Sequence, residues 1–273
     1  MEERLHRLRG TEIFAISEGS GMPVICMHGI TANGYVYEPI VKELASEFLM
    51  VSIDERGHGR SGRPQSYEDE DFAEDALDLI RDLGKGPAIL VGHSLGARNG
   101  IVAGVKAPEL VAGVVAIEFT PFIETEVLDQ LESRVNGGDR VYRDMDDIRS
   151  YLSGRYPLLP PAAIERRAVH GYRPLGDGTF RPLADPRGMG LTAAGLRKDL
   201  EAPLRALTRP TVLVRGEISK LVSVDAWAKT LKLRPDLPAE TVAKADHYVP
   251  EEEPGITARI IRDFAKTLPK TPR

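Results

Sequence analysis

Short apolar runs punctuate this chain and alternate with stretches whose apolar residues recur at helical spacing. The clearest runs are VICMHG (24–29), FLMVSID (48–54), AILVGH (88–93), VVAIEFT (114–120) and TVLVRG (211–216), with a fainter ETVAKAD (240–246) near the end. Runs so short and so uniformly apolar suit strands buried on both faces, and the amphipathic stretches between them suit covering helices. The segment DFAEDALDLIRDL (71–83) has one apolar face and stops at Gly84, where a helix C-cap takes left-handed backbone. Segments 95–106 and 256–267 also read as helices, and TEIFAISEGSG at the front reads as an edge strand followed by a glycine turn. This pattern predicts an α/β fold, with a mostly parallel central sheet flanked by helices.

The rhythm breaks between about 122 and 205. That region has no buried-strand run, is rich in Arg, Asp, Gly and Pro, and carries short helical pieces around 124–135, 145–153 and 160–169. A stretch of this length between core strands is too large for a loop. The strand pattern resumes only at 211, so residues 122–205 read as a helical lid inserted after the sixth strand. Residues 1–121 and 206–273 then form a single core.

Composition narrows the function classes. With 273 residues, 42% hydrophobic and 28% charged, the chain matches a soluble globular protein with room for one large domain plus an insertion. No stretch approaches the roughly 20 apolar residues of a membrane helix, and the N-terminus shows no apolar run of signal-peptide length. The single cysteine, Cys26, excludes an internal disulfide and points to the cytoplasm; its place inside VICM marks it as a buried structural thiol. A net charge of −5 with no basic tract argues against nucleic acid as a partner. Neither a zinc-type ligand spacing nor a dinucleotide fingerprint is present, so no metal and no cofactor is expected. The expected partner is a small molecule, with no membrane involved and a homodimer left open.

Three motifs carry chemistry. In VGHSLGAR (91–98), Gly92-His93-Ser94-Leu95-Gly96 follows a buried strand and precedes a helix, the context a G-x-S-x-G nucleophile elbow requires. Such a turn pushes the Ser94 hydroxyl out over the helix N-terminus, where the Leu95 N–H favours an oxyanion. In MHGITANG (27–34), the Ile30 N–H is placed to supply the second half of that oxyanion hole, and His28 reads as a structural hydrogen-bonder. DERGHGRSG (54–62) reads as scaffold, with Asp54 and Arg56 tying loops together and His58 outside the chemistry. In ADHYVPEE (245–252), His247 follows the last strand and takes the third place in the order Ser, acid, His, as a base for Ser94.

On these motifs the chain resembles the α/β-hydrolases over its whole length. It is similar above all to an amidase branch of them, through VGHSLGARN, EFTPFIETEVLDQLESRVNGG, YLSGRYP and VRGEISKLVS. Most α/β-hydrolases carry the triad acid as G-x-x-D after the late strand, and here Gly216-Glu217-Ile218-Ser219 lacks it. The resemblance to the amidase branch moves the acid to the strand after the elbow helix, where the matching residue is Glu118 in place of an Asp. Neighbouring parallel strands deliver their ends to one rim, so either position can reach the imidazole. Glu118 therefore ranks above Glu217, the fallback, and above Asp225.

The same resemblance implies a substrate with two carboxylates, held from the lid by Arg134 and by the Arg155-Tyr156 pair. Guanidinium forks suit carboxylates through paired hydrogen bonds. Thr31, beside the oxyanion hole, is a further candidate contact. The implied activity is hydrolysis of the amide of a small acylated enamine dicarboxylate, giving acetate, ammonia, carbon dioxide and succinic semialdehyde. Whether Ser94 is acylated or His247 activates water directly stays open at this point. An esterase, a lactonase, a carbon–carbon hydrolase and a non-catalytic ligand receptor are the alternatives on the same fold.

Overall fold

The computed structural model describes residues 1–269. Its strands are β1 (Glu2–Arg7), β2 (Glu12–Gly19), β3 (Pro23–Met27), β4 (Leu49–Ile53), β5 (Ala88–His93), β6 (Val111–Ile117), β7 (Tyr172–Pro174), β8 (Phe180–Pro182), β9 (Thr211–Gly216) and β10 (Ala239–Val242). The helices are α1 (Glu38–Leu44), α2 (Asp69–Leu83), α3 (Leu95–Lys106), α4 (Thr125–Asn136), α5 (Met145–Arg155) and α6 (Pro161–His170). They continue with α7 (Pro186–Gly195), α8 (Glu201–Ala206), α9 (Val224–Leu233), α10 (Val249–Glu252) and α11 (Pro254–Thr267).

Eight strands form one sheet in the order β1-β2-β4-β3-β5-β6-β9-β10. From β4 to β10 every pairing is parallel; β1 and β2 close one edge as antiparallel strands. Alternate residues of β3 explain why its run is apolar throughout. Ile25 and Met27 face a core packed with side chains of α2 and α3, while Val24 and Cys26 face a second core built with α1 and α11. A strand sandwiched in this way has no polar side to show.

Two strands end earlier than the apolar pattern suggests. The run VVAIEFT extends to 120, but β6 stops at Ile117 because Glu118 turns into left-handed backbone at φ 58°. The last run extends to 246, but β10 stops at Val242, and Lys244 turns the chain at φ 63°. Both early stops release a loop at the carboxyl rim of the sheet. The helix over 71–83 starts two residues sooner, and Gly84 caps it at φ 60° as its position implies.

Between β6 and β9 the chain leaves the sheet and builds α4 to α7, with α4 packed on α7 and α5 on α6. This layer has its own small core, which includes Tyr142, Ile148, Leu152, Tyr156 and Ile164. It is not purely helical, since β7 and β8 form a two-stranded hairpin within it. Its tail also differs from a lid running to 205. Leu200 and Leu204 pack in the main core, and α8 lies against α3. The apolar residues of that short helix are too few to show a period, so sequence spacing does not reveal their destination.

Candidate active site

β5 runs straight into α3 through Ser94, and sterics dictate what may flank it. A side chain on Gly92 would begin 2.2 Å from the Gly96 carbonyl oxygen, and one on Gly96 would begin 2.3 Å from that of Met27. Only glycine fits at either place. Ser94 itself is held at φ 53°, a conformation L-residues avoid, and its N–H donates to the Ile117 carbonyl at 2.9 Å. The turn therefore presents the Ser94 hydroxyl at the head of a 12-residue helix. Among the described residues, neither the Leu95 nor the Ile30 N–H donates to a protein acceptor. Two free donors beside a hydroxyl are what a developing oxyanion needs.

The loop carrying Ile30 is braced from below by buried polar groups. His28 receives the Glu55 N–H on Nε2 at 3.0 Å, and its Nδ1 lies 2.8 Å from the Gly29 carbonyl. Burial holds His28 well below the ordinary imidazole range and pushes His58 down to about 4. Asp54 accepts the Gly34 and Arg60 N–H groups at 2.6 and 2.8 Å, and Arg56 forks onto Asp75 at 2.6 and 2.7 Å. These residues brace the loops and stand apart from the cavity.

His247 sits on the loop after β10. Its Nδ1 lies 2.9 Å from Glu118 Oε2, across the ends of β6, β9 and β10. The turn after β9 completes the arrangement from an unexpected direction. The Gly216 N–H donates to Glu118 Oε1 at 2.6 Å, and the Ser219 hydroxyl donates to Glu118 Oε2 at 2.6 Å. Arg215 holds that turn through the Val222, Glu217 and Ser219 carbonyls. The place where an acid is missing thus hands two donors to an acid on the next strand. Glu217 faces away, exposed, with Oε2 accepting the Lys244 N–H at 2.9 Å.

Burial governs the charges of this pair. It pushes Glu118 up to about 8, against the pull of the Ser219 hydroxyl and the Gly216 N–H. It pushes His247 down to about 4, opposed by Asp246. The imidazole rests neutral, with Nδ1 turned to the carboxyl group and Nε2 left to accept a proton. Three donors converge on Glu118 and favour its carboxylate form against burial, and an imidazolium formed beside it during reaction favours that form further. Next to it, His93 places Nε2 2.6 Å from the His247 carbonyl, an anchor that the G-x-S-x-G pattern does not specify.

A cavity of about 290 Å³ opens between this rim and the lid. Its wall brings together Ser94, His247, Ile30, Thr31, Arg134, Arg155 and Tyr156; Leu95 and Glu118 stand behind it. The Ser94 hydroxyl forms no hydrogen bond with His247 among the described residues. Arg155 donates from Nε to the Tyr156 hydroxyl at 2.9 Å and from Nη1 to the Tyr151 hydroxyl at 3.2 Å. Among the described residues, Arg134 donates only to the Gln130 carbonyl, at 3.3 Å. Tyr156 is buried, yet Arg167 and Arg155 draw its phenol below the usual range. A smaller side chamber of about 130 Å³ shares Thr31, Arg134, Arg155, Tyr156 and Arg167 with the main cavity.

Arg167 belongs to no motif that points to the site. It lies on the face of α6 that also buries Ala163, Ile164 and Ala168, and an arginine on such an apolar stripe is the signal that marks it. Among the described residues no group of three or more His, Cys, Asp or Glu side chains is arranged to hold a metal ion, and no helix is long and apolar enough to cross a membrane.

The chain is similar to known proteins. The family described as alpha/beta hydrolase fold matches residues 22–146. A 2-(acetamidomethylene)succinate hydrolase from Mesorhizobium japonicum is 52% identical over 90% of this chain and 89% of its own. A crystal structure of E-2-(acetamidomethylene)succinate hydrolase superposes with a TM-score of 0.95 at 49% identity, covering 97% of this chain and 99% of that one. An esterase of Mycobacterium tuberculosis is 24% identical over 96% of this chain and 89% of its own.

Proposed function

Since the chain belongs to the alpha/beta hydrolase family, we propose that it is a cofactor-independent amidohydrolase acting on 2-(acetamidomethylene)succinate, a small acylated enamine dicarboxylate. The observation that carries this reading is one cavity holding both a hydrolytic centre and two lid arginines. Ser94 and His247 share its wall with Arg134 and Arg155, and neither arginine is paired with a carboxylate among the described residues. Cations without a protein counter-ion in a half-enclosed site favour an anionic ligand.

In this reading Arg134 and Arg155, the latter aligned by Tyr156 and Tyr151, grip the two substrate carboxylates. Thr31 contacts the substrate beside them. The acetyl carbonyl oxygen points at the Ile30 and Leu95 amides. His247 Nε2 takes the proton from the Ser94 hydroxyl as Oγ adds to the carbonyl carbon, and Glu118 stabilises the imidazolium through Nδ1. The imidazolium then protonates the departing nitrogen as the C–N bond breaks. Water, deprotonated by the same histidine, releases acetate from Ser94. The freed enamine takes up a second water and loses ammonia, and the resulting formyl acid loses carbon dioxide to give succinic semialdehyde. The Ser94 hydroxyl is not bound to His247 at rest, so substrate entry must draw the two into line.

Incubating the protein with 2-(acetamidomethylene)succinate should release acetate and succinic semialdehyde in equal amounts. Ser94→Ala should lower turnover by about a thousandfold or more. Wild-type protein that releases no acetate, or a Ser94→Ala protein with ordinary turnover, overturns the assignment. A buried free thiol at Cys26 supports a cytoplasmic enzyme.

A further inference from the structure

Behind the catalytic histidine lies a single turn of helix with two adjacent carboxylates that point to different places. Glu252 Oε2 accepts the Asp246 N–H at 2.6 Å, and Glu252 Oε1 accepts the Tyr248 N–H at 3.3 Å. These are the N–H groups of the residues immediately before and after His247. The neighbouring Glu251 is buried and accepts Arg167 Nε at 2.8 and 3.1 Å, with a further bond to Arg167 Nη2. Arg167 belongs to the lid helix α6. Its guanidinium lies 4.4 Å from the centre of the Tyr156 ring and 5.3 Å from that of Tyr248, on the wall common to both chambers.

We propose that α10 couples the lid to the catalytic loop, with Glu252 as a positioning residue for His247 and the Glu251–Arg167 pair as the strut that sets the anion-binding wall. A peptide loop fixes its side chain only as well as its own N–H groups are held. One carboxylate holding the N–H groups of Asp246 and Tyr248 restrains the backbone on both sides of His247. A displacement of about 1 Å at a catalytic group is enough to lower rate about a hundredfold. The strut acts on a different property. Arg167 supports the underside of Tyr156, whose hydroxyl orients Arg155, so losing the strut disturbs ligand grip before it disturbs proton transfer. Burial also raises Glu252, to about 7, so its hold on the loop weakens where the carboxyl gains a proton.

The coupling rests on the reading of Ser94 and His247 as the hydrolytic pair, and the test separates the two. Turnover of a neutral acetyl ester reports the hydrolytic pair without the dicarboxylate assignment. The downfield proton resonance of His247 Nδ1–H reports its alignment without any substrate. Glu252→Gln should lower kcat on both substrates ten- to a hundredfold, leave KM within threefold, and broaden or abolish the downfield resonance. Glu252→Asp keeps two acceptors on a shorter stem, should recover part of kcat, and carries the same test if the glutamine variant does not fold. The double variant Arg167→Met/Glu251→Met removes both charges together and so leaves no buried ion unpaired. It should retain the resonance and raise KM for the dicarboxylate tenfold or more, with a smaller loss in kcat. A Glu252→Gln protein with kcat within threefold of wild type and a sharp resonance overturns the positioning role. An unchanged dicarboxylate KM in the double variant overturns the strut. Failure on the dicarboxylate alone, with ester turnover intact, counts against the substrate and not against the coupling.

Discussion

At the sheet rim, Ser94 and Glu118 are locked by backbone: each sits in left-handed φ, and each has its N–H bound to a neighbouring strand carbonyl. In the lid, Arg134 is exposed and holds one long hydrogen bond, while Arg155 leans on two phenols. The rim is buried, and burial shifts its titrating groups. The lid is more open at the site, with Arg134 exposed and Arg155 half-buried. Reaction chemistry needs atoms fixed to fractions of an ångström, whereas selecting an anion needs only charge and a reachable fork. The fold therefore places transition-state chemistry on the rigid layer and ligand preference on the adjustable one.

The sharpest way to break that division is to remove charge from the rim without changing shape. Glu118→Gln should lower turnover by about a thousandfold or more, because the imidazolium loses the carboxylate behind it. Glu217→Gln, on the exposed side of the neighbouring turn, should stay near wild type in the same assay. The reverse ranking would move the acid to the later strand. A smaller effect is expected in the lid. Arg134→Met or Arg155→Met should raise KM for a dianionic substrate by about ten- to a hundredfold, with less effect on a neutral ester. Equal losses on both substrates would mean that the lid arginines build the site and do not select for it.

The smallest effect tests whether burial does tune the rim. Glu55 is buried beside Asn99, which donates to it at 2.8 Å, and burial raises it to about 8. Its folded value lies above the unfolded glutamate value, so the stability it contributes is complete at low pH and is lost as pH rises toward 8. Glu55→Gln should therefore gain on wild type as pH rises from 5 to 8, by at most about 1.4 kcal/mol per pH unit. Thermal melts of the two proteins at matched pH would show the gap widening. A gap that stays constant means Glu55 is ionised in the folded protein.

Much of the rim is legible in the amino-acid order. Strands sandwiched between helices must be apolar throughout, and a strained elbow must be flanked by glycine, so β3, β5 and the Ser94 turn leave a clear trace in sequence. Glu118 ranks first among the acids only through a resemblance, and its place behind His247 depends on β6 ending early, which the apolar run does not reveal. The lid and α10 leave less. Arg167 and Glu251 are 84 positions apart, and beyond the apolar stripe around Arg167 nothing in the sequence links the two. Ser219 shows the same difficulty. Its absence of charge is visible in the sequence, but its role as a donor to the neighbouring strand's acid is visible only once the strands are laid side by side.

Thr31, Ser94 and Glu118 share one further property. They are three of the four non-glycine residues with positive φ among the described residues, at 66°, 53° and 58°. Such conformations cost about 1–3 kcal/mol each, a strain that glycine would largely relieve. Mutagenesis screened only for survival at high temperature should therefore enrich glycine at these positions and return sturdier proteins that have lost their chemistry. Any effort to make this catalyst more robust must screen for turnover in the same round, because on this rim the two goals select different amino acids.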